Sequence, residues 1–309
     1  MNKFLKWSKS TSKILIDSSM SLGLEERNLD LNNKLWTAQA LANNPELIED
    51  VHTAYFNAGS NLTITNTYQA SIQGYQEAGY TVKEAKQLIR KAVELAHSGR
   101  NNAKNNKNKW IAGAIGPYGA YLANGSEYTG DYHVSNEELE AFHIDRINIL
   151  IDAGCDALIL ETIPNFKELK VLINILDSKK VPVIVGCSLS DAKHLADKTP
   201  FKDVQDLLEN ATNVIAYGNN CTSPNIVSDS IKEIIKNYPK HKDIIVFPNS
   251  GAQYDPKIKK WLNNGISDNE FVSLTQEWLC LGAKYVGGCC CTSEVQTKLI
   301  HDKLFQKQS

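Results

Sequence analysis

Eight short runs of apolar, often β-branched residues recur along the chain, each followed by a segment of helical period. They read KILIDSS (13–19), NLTITNT (61–67), WIAGAIGP (110–117) and DALILETIP (156–164), then VPVIVGCSLS (181–190), NVIAYGNNC (213–221), DIIVFPNS (243–250) and KYVGGCC (284–290). The runs are nearly continuous in apolar character, the pattern of strands covered on both faces in a parallel sheet. Between them lie helix-end signals. Asn44-Pro45 opens a helix with Leu47, Val51, Ala54 and Ala58 on one face and Gly59 closing it. Thr81 with Glu84 is a capping box, and Gly99 is read as the end of that helix. Ser135 with Glu138, Asn165 with Glu168, and Ser267 with Glu270 repeat the signature.

Eight strand–helix units in 309 residues match the α/β class, specifically a (β/α)8 TIM-type barrel. An open doubly wound sheet commonly uses fewer strands. Its dinucleotide form carries G-x-G-x-x-G after the first strand, and DSSMSLGLEE has no such motif. No composition break divides the chain, so residues 1–309 are expected to form one barrel domain.

Charge narrows the partners. A net charge of −2 and a pI near 6.4 give no electrostatic reason to expect nucleic acid. No apolar run approaches the ~20 residues of a membrane helix. The N-terminal MNKFLKWSKSTSK lacks the apolar stretch of a secretion signal, so a cytoplasmic location is expected. NNAKNNKNKW (101–110) reads as a solvated loop. Oligomeric state is not legible in the sequence.

In a parallel barrel the chemistry sits where the strands end. Those ends carry Asp17, Asn66 and Thr67, GPYG (116–119), Glu161 and Thr162, then Ser188, Asn220 and Cys221, Asn249 and Ser250, and Cys289 and Cys290. Seven cysteines in a chain too large to need stapling point to thiols or metal ligands. Cys155, Cys187 and Cys280 stand in or beside apolar segments and are expected to be small buried hydrophobes. Cys221 ends the sixth strand, and Cys289, Cys290 and Cys291 end the eighth. Three thiolates suit Zn²⁺, and a three-ligand site leaves the open position of a catalytic zinc. Spacing leaves open which two of the last three bind. Gly287 and Gly288 are expected to let the backbone turn sharply enough for adjacent side chains to face one ion.

Seven segments together resemble the homocysteine S-methyltransferase family, which is related to the zinc-dependent betaine–homocysteine methyltransferases. They are LEERNLDLNNKLWTAQAL (24–41), NTYQAS (66–71), GPYGAYLANGSEYTGDY (116–132), ETIP (161–164), NNCTSP (219–224), FPNSGAQYDP (247–256) and GGCCCT (287–292). The resemblance implies Zn²⁺ held by Cys221, Cys289 and Cys290, with Asp17 and Glu161 near the amino-acid end of homocysteine. Ser18, Ser19, Asn66, Thr67, Tyr118, Tyr128 and Asn220, at the strand ends or in the loops that follow them, are the further candidates for substrate contacts. Three departures stand out: Cys291 replaces a usual Arg, DSSMSLGLE replaces a glycine-rich D-G-G-x-G-T-E-L-E, and Ala252 replaces a frequent Glu.

The implied reaction is methyl transfer to L-homocysteine, giving methionine. Its donor is a sulfonium, S-methylmethionine or S-adenosylmethionine, and Tyr118, Tyr128, Tyr132 and Tyr254 are candidates to face that cation. A free thiol with a pKa of ~8.5 holds little thiolate at neutral pH, which is where zinc would act. Two alternatives remain: a different thiol or selenol acceptor such as selenocysteine, and a thiol-redox or metal-storage protein with no use for Asp17 or Glu161.

Overall fold

Every one of the eight apolar runs forms a strand of a single parallel sheet in the computed structural model, which describes residues 2–252 and 265–306 with the backbone of 254–255 and 260–261. In chain order the strands are β1 (Ile14–Leu15), β2 (Leu62–Ile64), β3 (Trp110–Ile115) and β4 (Ala157–Ile163), then β5 (Val183–Cys187), β6 (Val214–Asn220), β7 (Asp243–Phe247) and β8 (Ala283–Val286). Each pairs with its sequence neighbours, and β8 returns to β1 with Ile14 opposite Tyr285. A parallel bridge from Ile16 to Leu62 and a 3.0 Å bond from Asp17 N to Leu62 O join β1 to β2. The ring is thereby closed, the (β/α)8 barrel expected from the alternation of elements.

Near-continuous apolar character follows from two cores separated by one strand layer. Ile14, Ile16, Ala112, Ile159, Ile184 and Ile245 pack together inside the barrel. Their alternates Leu15, Ile111, Leu158, Val185, Ile244 and Val286 pack outward against the helices. Successive side chains in a strand point to opposite faces, so both faces must be apolar here. The sequence reading did not anticipate a helix over Lys3–Lys9. Its Phe4 and Trp7 rings stand 5.7 and 5.6 Å from that of Trp110, the first residue of β3, and close the opposite mouth of the barrel.

Several end signals hold and some are reassigned. Thr81 and Ser135 make reciprocal capping boxes with Glu84 and Glu138, and Gly59 closes Pro45–Ala58 at φ +112°. That helix buries Ile48, Val51, His52, Tyr55, Phe56 and Ala58; of the expected face Val51 and Ala58 are buried, while Leu47 and Ala54 are only half-buried. Gly99 does not end its helix, which runs to Asn102. A Cβ there would lie 2.7 Å from the Cβ of His52, so glycine serves close helix packing. Asn165 caps its helix, but Glu168 turns inward to a buried network instead of reaching back. Cys280 is exposed on the helix Asp268–Leu281, unlike the buried Cys155 and Cys187.

Candidate active site

The C-terminal ends of the strands surround a cavity of about 580 Å³. Its wall combines Asp17 beyond β1, Glu161 and Thr162 of β4, Cys221 beyond β6, and Cys289 and Cys290 beyond β8. The ligand atoms of Cys221, Cys289 and Cys290 all lie within 4.8 Å of one another. Cys290 is central, with its Sγ 3.3 Å from Cys221 and 4.0 Å from Cys289. The Tyr128 hydroxyl lies 3.8 Å from the Cys221 sulfur and 3.9 Å from that of Cys290.

Backbone bonds fix this trio. Cys221 N donates to Phe247 O (3.0 Å), Cys289 N to Pro248 O (2.8 Å), and Ser250 N to Cys290 O (3.0 Å). A turn closed by Thr292 N on Cys289 O (3.1 Å) carries Cys291 at φ +60°. That turn directs Cys289 and Cys290 to the cluster, while Cys291 lines the cavity outside the trio. The two glycines act differently from expectation, since neither has a positive φ. A Cβ on Gly287 would sit 2.3 Å from Ile16 Cγ1 and 2.8 Å from Asp17 O. One on Gly288 would sit 2.2 Å from Thr292 Oγ1. They are small so that β8 can pass close to the β1 end and the turn can fold back on itself.

The electrostatics of the trio suit a cation. Hydrogen bonding from Cys289 and Cys290 holds the Cys221 thiol well below its usual range, and bonding to Cys221 pushes Cys289 well above it. Cys290 likewise rises, Cys221 again being the first cause. Without a counter-charge the cluster thus shares about one negative charge; three ionised sulfurs this close need a metal between them.

Two carboxyls face the same space. Asp17 Oδ2 accepts from Ile64 N at 2.8 Å, but Oδ1 is buried with no partner. Glu161 Oε1 is also buried and unpartnered. Burial raises both groups well above the carboxylate range, and the Asp17 charge raises Glu161 further.

The other expected residues divide. Asn66, Ser18 and Ser19 line the cavity. Asn66 Nδ2 donates to Thr37 O (2.9 Å), and the Ser18 hydroxyl bonds that of Thr297 (2.8 Å). Ser19 caps a short helix, Met20–Glu25, so the serine-rich segment is a helix start instead of an open loop. Thr67, Asn220 and Tyr118 stand behind the wall. Thr67 Oγ1 is tied to Ala114 O (2.8 Å). Asn220 accepts from Thr162 Oγ1 (2.6 Å) and donates to Phe247 O (3.1 Å), bracing the strand end before Cys221. The Tyr118 ring packs 5.0 Å from Phe142, and Tyr132 hydrogen-bonds Glu168. The side chain of Tyr254 lies outside the described residues.

Among the wall residues not anticipated are Trp36, Tyr68 and Glu127. Burial pushes the Glu127 carboxyl up to about 7, with the Cys221 charge adding to it. Tyr68 follows the expected pair Asn66–Thr67 by one residue, which is the signal that would have found it. Backbone strain marks the site as well. Among the described residues eight non-glycine residues have positive φ, and five of them, Trp36, Ala123, Thr162, Cys221 and Cys291, line this cavity. Such conformations cost on the order of 1–3 kcal/mol each and collect at functional sites.

The family model for homocysteine S-methyltransferase matches residues 14–304. The homocysteine S-methyltransferase of Escherichia coli K12 is 39% identical over 287 residues, 91% of each chain. The homocysteine S-methyltransferase YbgG of Bacillus subtilis 168 is 40% identical over 289 residues, 90% of each. The crystal structure of the metallated homocysteine methyltransferase MmuM from Escherichia coli superposes with a TM-score of 0.86 at 34% identity, covering 96% of this chain and 98% of that one. By fold, site and sequence together, the chain belongs to the homocysteine S-methyltransferase family.

Proposed function

We propose that the chain transfers a methyl group from a sulfonium donor to the thiol of L-homocysteine, giving methionine, with Zn²⁺ held by Cys221, Cys289 and Cys290. The observation that carries this reading is the shared cavity: three clustered sulfurs and the unpartnered carboxyl oxygens of Asp17 and Glu161 line one space. A thiol amino acid has a group for each. Zinc fits because the donor set is three sulfurs with room on the cavity side, and a bound zinc would keep a coordinated thiol deprotonated at neutral pH.

Asp17 and Glu161 receive the α-ammonium of homocysteine by charge-assisted hydrogen bonds, orienting its thiol toward the sulfurs. Burial and the Cys221 charge push the Tyr128 phenol well above its usual range, so it stays protonated and donates to sulfur. Trp36 and Tyr68, with ring centroids 6.3 Å apart, present aromatic faces to a sulfonium. In the transfer a bond forms between the acceptor sulfur and the methyl carbon while the methyl–sulfonium bond breaks. The bond electrons return to the departing sulfur, which leaves as a neutral thioether and needs no acid. The enzyme's task is in-line placement. Free clustered thiols persist in a reducing compartment, and cytoplasm is proposed on that ground. One barrel domain over residues 1–309 is proposed with it.

Homocysteine-dependent formation of methionine from S-methylmethionine by the purified protein tests the reading, and loss of that activity on chelation tests the metal. No methionine from any sulfonium donor would overturn it.

Asp17→Asn separates binding from stability. The folded-state pKa of Asp17 is raised, so the native state holds its proton more tightly than the unfolded one. Its contribution is therefore complete below the unfolded value of ~4 and lost as pH rises through the folded one. At pH 7–8 the ligand-free variant is expected to melt above wild type, an advantage that fades toward pH 4. Homocysteine affinity is expected to fall roughly 10- to 100-fold. Calorimetric titration and melting curves across pH check both halves.

A further inference from the structure

We infer that Glu127 recognises the methyl donor, taking the ammonium group at its amino-acid end and selecting amino-acid sulfoniums over methyl carriers that lack that group. This rests on the methyl-transfer reading above and names a donor subsite within it.

The cavity wall is acidic. Asp17, Glu25, Asp30, Glu127 and Glu161 line it, and its one basic residue among the described residues, Lys34, is committed to Glu77 outside the cavity wall. A wall of this charge favours cations and disfavours anions. Two of the five acids, Glu25 and Asp30, are exposed residues. Asp17 and Glu161 act as a pair, each with a buried unpartnered oxygen, and one ammonium satisfies both. Glu127 is left. Its Oε2 is buried with no partner, and the backbone amides of Gly125 and of Glu127 itself support the carboxyl. A buried carboxylate oxygen without a partner costs stability unless a ligand supplies the missing donor.

Counting cations assigns that ligand. Homocysteine is a zwitterion with a single ammonium, already placed. An amino-acid sulfonium brings two positive centres, and its methyl must point at the acceptor sulfur near the cysteine trio. Its ammonium, several bonds away, then needs a carboxylate near but apart from the sulfurs. Glu127 lines the same cavity as the sulfurs and is close enough to feel the Cys221 charge, yet it is no member of the cluster.

The segment is also stiff enough to discriminate. Ser126 N bonds Asn124 Oδ1 (3.0 Å), Gly130 N bonds Ser126 O (2.8 Å), and Asn165 Nδ2 bonds Gly130 O (3.0 Å). A Cβ on Gly119 would lie 2.8 Å from Glu127 N, so the preceding loop packs directly against this turn. A carboxyl held this way loses little freedom on binding.

The test uses the zinc-loaded enzyme, Glu127→Gln and, as the conservative rescue, Glu127→Asp. Metal content and circular dichroism establish that the variants are folded and loaded. For Glu127→Gln the KM for S-methylmethionine is expected to rise about 10- to 100-fold, the loss of a charge-assisted bond, while homocysteine KM stays at the wild-type value. Glu127→Asp is expected to recover part of that loss. The analogue of S-methylmethionine lacking the amino group, measured as a competitor, is expected to bind wild type and Glu127→Gln equally. An unchanged donor KM, a matching rise in homocysteine KM, or equal weakening of donor and analogue would each overturn the assignment. Absence of methionine with the wild-type enzyme would overturn the methyl-transfer reading and this inference together, and it is distinguishable because it precedes any variant.

Discussion

Replacing Cys290 with serine is expected to remove the metal and lower kcat/KM by about a thousandfold or more, the equivalent of several kcal/mol of electrostatic stabilisation. The geometry singles out this sulfur. It lies 3.3 Å from that of Cys221 and 4.0 Å from that of Cys289, so its loss takes one of three donors from a cluster that has no fourth cysteine. A serine hydroxyl resists ionisation and is a poor ligand for a metal selected by soft sulfur, so two thiolates and a neutral oxygen replace three thiolates. The variant should also fold, because the backbone bonds of Cys289 N and Cys290 O do not involve the side chain. Metal analysis of the purified variant and its rate of methionine formation check both effects. Cys291→Arg provides the contrast. Cys291 stands outside the trio, half-exposed at the cavity wall, so metal content and activity are expected to survive. A Cys290→Ser enzyme fully active with little metal would refute the role assigned to the cluster.

The sulfur centre was legible because it depends on strand ends, and strand ends follow from hydrophobic pattern. Once eight apolar runs are placed in order, Cys221 and the run Cys289–Cys291 fall at the same mouth of the barrel without reference to loop paths; the choice of Cys289 and Cys290 within that run came from the family resemblance. What pattern could not supply was the reason for the local sequence. Gly287 and Gly288 were expected to turn the chain, but their value is the absence of a Cβ against Ile16 and Thr292; the left-handed turn belongs to Cys291. The helix Pro45–Ala58 was assigned the correct ends but only part of its buried stripe, Val51 and Ala58. Ile48, Tyr55 and Phe56 outweigh Leu47 and Ala54 in apolar area, and an aromatic face was overlooked. Trp36, Tyr68 and Glu127 were missed because long βα loops place them, and a loop's path follows from tertiary contacts that no periodicity encodes.

The buried network behind the site was also invisible in the sequence, since it joins residues far apart in the chain, and it yields the second large expected effect. Arg146 is buried within the helix Asn136–Asp152, its Nη2 donating to Gly116 O (2.7 Å) and to His143 Nδ1 (2.9 Å), and its Nη1 to Tyr68 O (3.2 Å). Arginine can only donate, so His143 Nδ1 accepts and the ring proton sits on Nε2, which donates to Glu168 Oε1 at 2.6 Å. Burial lowers the His143 pKa, in keeping with a neutral ring. Glu168 further accepts from Tyr118 N (2.7 Å) and from the Tyr132 hydroxyl. One charge pair, relayed through a neutral histidine, therefore holds Tyr68 and both ends of the 116–132 segment that carries Glu127 and Tyr128. Arg146→Met removes the cation, leaves Glu168 as an uncompensated buried carboxylate, and strips the Gly116 and Tyr68 carbonyls of a donor. A loss of about 3–5 kcal/mol is expected from breaking one side of such a pair, which lowers Tm on the order of 10 °C. Replacing Arg146 and Glu168 together by apolar residues should recover part of that loss, because no buried charge is then stranded. Below its Tm the single variant should also show a raised donor KM as Tyr68 and the Ser126–Tyr128 turn lose their anchor. Melting curves of Arg146→Met, of Glu168→Met and of the variant with both changes give the coupling directly. Additive losses would mean that Arg146 and Glu168 act independently, and the network would be no unit at all.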